Sequence, residues 1–127
     1  MPIEHRYDPA LRTLFIELSG EVSETELVDT ARKLTSDPAI PPGHRELVDL
    51  SGVRNTDVTA ATLRRVAHIY SEADQRPEDS RVAIVAPGDL FFGLSRMYET
   101  FREPSRLEIR VFRELAEARI WLGLGAP

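Results

Sequence analysis

Hydrophobic and polar residues alternate along this chain with two periods that take turns. Ile3, His5 and Tyr7 interleave with Glu4, Arg6 and Asp8, the spacing of a half-buried strand. Pro9 and Ala10 supply a turn. Leu14, Ile16 and Leu18 then interleave with Thr13, Phe15 and Glu17, which predicts a second strand paired with the first as a hairpin and ended by Gly20. Ser23-Glu24-Thr25-Glu26 spells a capping box, in which the serine hydroxyl accepts from the Glu26 backbone and the Glu26 carboxylate reaches back to the cap. Leu27, Val28, Ala31 and Leu34 share one helical face, so a helix is expected as far as Thr35. The prolines of Asp37-Pro38 and Pro41-Pro42-Gly43 make the next segment a loop.

Leu47, Val48 and Leu50 predict a third strand, with Asp49 interrupting its apolar run, and a polar loop follows. Leu63, Val66, Ala67 and Tyr70 mark a second helix capped by Asp57 or Thr59. A polar link from Asp74 to Ser80 leads to Val82-Ala83-Ile84-Val85-Ala86, the purest apolar run and the expected central strand, covered on both faces. Pro87-Gly88-Asp89 opens a third helix with Leu90, Leu94, Met97, Tyr98 and Phe101 on one stripe. Leu107, Ile109 and Val111 alternate with Glu108 and Arg110 in a fifth strand. Leu115, Ala118, Trp121 and Leu122 line a last helix, and Gly123 falls just past its end.

The order ββαβαβαβα predicts an α/β fold, a five-stranded, mixed and mainly parallel sheet with four main helices. The outer strands are polar on one face and the inner ones are not, so helices should cover one face well and the other incompletely. The scheme depends on Leu47–Leu50 and Val82–Ala86 lying side by side in the same direction.

Composition narrows the classes. A chain of 127 residues suits a single domain over 1–127 that buries its core without staples. With no cysteine, disulfides, thiolate zinc sites and a cysteine nucleophile are excluded. A formal charge of -5, with scattered arginines and Lys33 as the one lysine, disfavours duplex nucleic acid and anionic membranes as partners. The opening residues carry no signal-peptide pattern, and no apolar run is long enough to span a bilayer. A cytoplasmic protein without membrane insertion is expected.

Asp49, Ser51, Arg54, Asp57, Thr59 and Asp89 all fall near carboxyl ends of predicted parallel strands or at the helix starts beyond them. They either form a partner-facing rim or do structural work, Asp57 and Asp89 as helix caps and Asp49 and Ser51 as loop ties. Three carboxylates on a rim suit a hard cation, but their spacing matches no cation loop, so no metal and no cofactor are expected. Gly88 to Ser95 follows a phosphate-loop spacing up to Gly93, and then Leu94 stands where the lysine belongs. His5, His44 and His68 are far apart in sequence, Ser51 lacks a nucleophile turn, and no acid–base pair stands out. The expectation is a protein that is not an enzyme. The third helix holds more aromatic surface than one stripe needs. Phe91 and Phe92 therefore suggest either a dimer contact or, with Met97, Tyr98 and Trp121, the wall of an apolar pocket.

Asp49-Leu50-Ser51-Gly52-Val53 followed by Asp57-Val58-Thr59-Ala60 resembles the STAS domain of bacterial anti-sigma factor antagonists. Arg81 to Pro87, and Val111-Phe112-Arg113-Glu114-Leu115 with Ala118 and Trp121-Leu122, are more similar to uncharacterised bacterial STAS-like proteins, a group often classed beside the lipid-binding CRAL-TRIO fold. The resemblance implies a STAS-like domain with a regulatory or interaction role. In the phosphorylated regulators the serine directly after the motif's aspartate accepts phosphate. Here that position is Val58, which has no hydroxyl; Thr56 and Thr59 flank it off the acceptor position, and Ala60 replaces a glycine. The switch does not carry over. The leading expectation is a module that binds a protein partner, or itself as a homodimer, through Ser51, Arg54, Asp57, Val58, Thr59 and Asp89. The alternative is a binder of a small apolar or lipid-like amphipathic ligand walled by Phe91, Phe92, Met97, Tyr98 and Trp121.

Overall fold

The computed structural model describes residues 2–73, 80–103 and 108–125. Strands β1 (Ile3–Asp8) and β2 (Thr13–Val22) form the expected antiparallel hairpin, with Ile3 opposite Leu18 and Asp8 opposite Thr13. Its turn is held by the Asp8 carboxylate, which accepts from the backbone N–H groups of Ala10 and Leu11 at 2.9 and 3.2 Å. Helix α1 (Glu24–Thr35) starts on the predicted capping box: Ser23 Oγ accepts from Glu26 N, and Glu26 Oε1 accepts from Ser23 N. Then follow β3 (Arg45–Thr56), α2 (Ala60–Ala73), β4 (Arg81–Val85), α3 (Asp89–Arg102), β5 (Glu108–Phe112) and α4 (Leu115–Trp121). The predicted link from Asp74 and the start of the fifth strand at Leu107 lie outside the described residues.

The strands lie in the order β1-β2-β3-β4-β5, with every pair after the hairpin parallel. Leu47 stands opposite Ala83 and Asp49 opposite Val85, so the two segments on which the scheme depends are parallel neighbours. Position two of the period then sorts the side chains. Ile16, Leu18, Val48, Val82, Ile84 and Val111 face α1, α2 and α3, whereas Leu47, Ala83, Val85 and Phe112 face α4. The short α4 lies against β3 to β5, and Phe15 of β2 packs at the edge of this cluster with the Arg6 guanidinium over it, 4.3 Å from its ring centre. Among the described residues no helix is long and apolar enough to cross a membrane.

Three expectations need correcting. β2 does not end at Gly20, and the segment from Ser51 to Thr56 is strand rather than loop. The two strands continue as a parallel ribbon beyond the point where β4 stops, with Gly20 opposite Val53 and Val22 opposite Thr56. Polar composition suggested a loop because two bulges break the alternation. β3 advances from Asp49 to Gly52 while β2 advances only from Glu17 to Ser19, and again from Val53 to Asn55 against Gly20 to Glu21. Gly20 takes φ +67 there, and a Cβ on Gly52 would lie 3.1 Å from Ser19 Cβ.

The third correction concerns α3. Leu90 is 67% and Met97 38% exposed, so the stripe drawn through them points too far outward. The face turned to the sheet runs through Phe91, Ser95, Tyr98 and Arg102, at helical spacing, with Ser95 and Arg102 buried. An inward serine and an inward arginine are what hid it.

Candidate functional site

Between the sheet and helices α1 to α3 the core does not close. A cavity of about 150 Å³ remains, almost entirely apolar in lining. Ile16, Leu18, Val48, Leu50, Val82 and Ile84 form its sheet wall. Leu27 and Ala31 of α1, Leu63 and Val66 of α2, and Phe91 and Leu94 of α3 form its roof. At one end Val53, from the β2–β3 ribbon, and Val58, from the turn into α2, close it. An apolar void of this size stays dry and takes up a molecule such as benzene. Left empty, it forgoes about 3 to 4 kcal/mol of packing, at the ~24 cal/mol per Å³ typical of core cavities.

The other end is polar. Glu46, Val82 and Ile109 stand side by side near the amino ends of β3, β4 and β5, and the carboxyl-terminal turns of α2 and α3 bring Tyr70, Tyr98 and Arg102 over this row. Glu46 is 5% and Arg102 3% exposed. Arg102 donates from Nη1 to the Tyr98 hydroxyl at 3.0 Å, and its guanidinium lies 5.4 Å from the Tyr70 ring centre and 6.0 Å from that of Tyr98. Its place in the last turn of α3 also sets the cation against the negative end of the helix dipole.

Behind Glu46 stands the buried ring of His44. Its Nδ1 lies 2.9 Å from the Pro41 carbonyl oxygen and its Nε2 lies 2.9 Å from Glu46 Oε1. A carbonyl only accepts, so Nδ1 carries a proton. Leu34, Glu46 and Tyr70 line both the cavity and an outer cleft beside the Ile40–Pro42 loop, and so lie between the two.

The residues singled out from sequence lie elsewhere or do other work. Asp49 accepts from the Ser51 backbone at 2.9 Å and also from the Ser51 hydroxyl, a local tie. Asp57 Oδ1 accepts from Glu24 N at 2.7 Å, so this carboxylate serves the start of α1 rather than capping α2. Thr59 stands at the head of α2, where its hydroxyl meets the Thr62 hydroxyl and accepts from Thr62 N. Asp89 is the first residue of α3, after Gly88 at the cap, and pairs with Arg113 at 2.6 Å on the surface. Arg54 is exposed on the ribbon, and Val58 is half-buried on the cavity wall. Thr56 donates to the Val22 carbonyl at 2.7 Å and holds the ribbon's end.

Of the five aromatic and sulfur side chains proposed as one wall, Phe91 and Tyr98 line the cavity. Phe92 lies beneath the Arg113 guanidinium at 4.1 Å, and Met97 faces outward. Trp121 packs on Phe112, across the sheet. The five therefore cannot share a wall, because α4 crosses to the opposite face. Among the described residues no three His, Asp or Glu side chains gather closely enough to hold a metal ion. Sequence reasoning missed Glu46 and Arg102, although both occupy inward positions of their elements' periods. A charged residue at such a position is the signal that was there to find.

No family model matches the sequence, and neither does any curated protein. Among solved structures the chain is similar to an uncharacterised protein of the DUF3478 family with a SpoIIAA-like fold, from Shewanella loihica PV-4. The two share 18% identity and a TM-score of 0.61, over 94% of this chain and 91% of that one. The fold of this chain is SpoIIAA-like, that is, STAS-like, in agreement with the resemblance carried by Asp49 to Ala60.

Proposed function

We propose that this SpoIIAA-like fold serves as a non-enzymatic binding module for a small apolar or amphipathic molecule, held between the sheet and helices α1 to α3. The cavity of about 150 Å³ is the observation that carries the reading. Ligand sites are concave, mostly apolar and furnished with a few polar groups that fix orientation. This cavity has that make-up, and it sits where a stability-driven core would have filled the space. Toluene tests the proposal: titrated into the protein, it is expected to shift amide resonances of Leu18, Val48, Val66 and Ile84 in a saturable way. Val66→Phe, which fills the space, is expected to weaken that binding at least tenfold. Saturable shifts confined to other surfaces would reject the reading.

A protein partner is the second reading, supported by the ribbon that projects past β4 with Arg54 and Asn55 exposed on it. The same ribbon contributes Val53 to the cavity wall, so a ligand within and a partner outside would meet the same element. Arg54→Glu should release a partner, or split a homodimer, without changing toluene binding. An unchanged complex would remove this reading.

A further inference from the structure

We propose that β1 pairs edge to edge with β1 of a second copy of this chain, antiparallel and with His5 on the two-fold axis. Two five-stranded sheets then become one continuous sheet. This contact uses neither the cavity nor the Arg54 ribbon, so it holds under either reading of the function.

Backbone hydrogen bonds define the edge. β1 ends the strand order, and among the described residues only β2 pairs with it. Ser19 N donates to Pro2 O at 2.8 Å, one step beyond the pair of Ile3 with Leu18. Hydrogen-bonded and non-hydrogen-bonded pairs alternate in an antiparallel ladder, so Glu4, Arg6 and Asp8 turn their backbone groups toward β2. The bond from Arg45 N to Arg12 O, 2.8 Å long and on the far side of β2, requires the same alternation. The N–H and C=O groups of Ile3, His5 and Tyr7 therefore point out of the sheet. Such a row is a template for another strand unless a proline, a lysine, a bulge or a covering element blunts it. Ile3–Asp8 holds no proline and no lysine, and its register with β2 runs without a bulge.

Charge selects both the occupant and the register. Two-fold pairing about His5 sets Ile3 against Tyr7 of the second copy and His5 against its own copy. Every outward-facing residue of β1 then meets another, and their backbone groups close hydrogen-bonded pairs. Between them Glu4 stands opposite Arg6 of the second copy, twice by symmetry, at the closer non-hydrogen-bonded spacing of about 4.5 Å between Cα atoms. On the other face Ile3 and Tyr7, half-buried against the β2 core, extend their apolar contact across the axis. A slip of two residues one way puts Glu4 against Glu4. The same slip the other way puts Arg6 against Arg6 and Glu4 against Asp8. Within one chain Glu4 already faces Glu17 across the hairpin, a like-charge pair that costs stability. The exposed Arg6 guanidinium, over the Phe15 ring and 4.0 Å from Asp8, lies on that same face, and a second copy brings it to Glu4.

Sedimentation equilibrium of the full chain tests it. Wild-type protein is expected to form a dimer of twice 14.3 kDa, and a monomer at millimolar concentration overturns the proposal. Glu4→Arg and Arg6→Glu are each expected to weaken the dimer at least tenfold, since each sets like charges across the axis. Mixed in equal amounts the two variants should pair again, because every arginine then meets a glutamate of the other chain. His5→Pro, which deletes an N–H that points away from β2, is expected to give a folded monomer. Should His5→Pro unfold, the two charge variants carry the test, both being changes at exposed side chains. A dimer indifferent to both charge changes, or weakened variants that do not recover on mixing, overturns the proposal. A dimer at this edge survives Arg54→Glu, which leaves the ribbon to a different protein. A dimer that Arg54→Glu splits and the β1 variants do not belongs to the ribbon, and overturns the proposal.

Discussion

The two ends of the parallel strands make opposite use of polar residues. At the carboxyl ends, Asp49 and Ser51 lie in the outer part of β3 and Asp57, Thr59 and Asp89 at or before helix starts, and each has a hydrogen-bond or ion-pair partner that explains it. Their Coulomb terms are screened by water and small. At the amino ends, His44, Glu46 and Arg102 are each under a tenth exposed, and Arg102 meets Tyr98 across the tip of an apolar cavity. Polar groups there are expensive to bury and add nothing that an apolar core would lack. The lesson is that a motif at the expected end of an α/β sheet can be structural, while the end without a motif holds the buried charged groups.

The sharpest way to break this contrast is to remove one member of the buried set. Glu46→Leu leaves His44 Nε2 without its hydrogen-bond partner inside the fold and is expected to cost about 3 to 5 kcal/mol in urea unfolding. A loss under 1 kcal/mol would place that end on the same footing as the rim.

Next in size is the bulge that makes Ser51 to Thr56 a strand. Gly52→Val pushes a branched side chain against Ser19, where even a Cβ lies at 3.1 Å, and should cost about 1 to 3 kcal/mol. A neutral result would mean the ribbon is not tightly paired.

The smallest effects belong to the rim. Asp57→Ala removes the acceptor for Glu24 N and should cost about 0.5 to 1 kcal/mol, softened by the capping box that already serves α1. Asp89→Ala breaks an exposed pair with Arg113 and should cost at most about 1 kcal/mol. Thermal melts of both variants should fall far above that of Glu46→Leu, and a reversed order would invert the comparison.

Much of the fold was legible because it depends on periods that survive local detail. The hairpin, the capping box before Glu24, the parallel neighbours Leu47 and Ala83, and Gly123 at φ +77 past α4 all follow from spacing and turn chemistry. The ribbon was not legible, because two bulges put Ser51, Arg54 and Asn55 where alternation forbids a strand. The inward face of α3 was hidden for a related reason. Hydrophobic stripes are drawn through leucines and methionines, and this helix turns Ser95 and Arg102 to the core while Leu90 faces water. The polar end of the cavity escaped with it, since Glu46 and Arg102 lie 56 positions apart in sequence and meet the same cavity only through the sheet order.

Xenon under pressure in a crystal of the protein asks most directly whether the space between the sheet and the three helices receives an apolar guest. A strong xenon peak among Leu18, Val48, Val66 and Ile84 is the predicted result. Xenon sites confined to the surface, around a core that has closed, would contradict it.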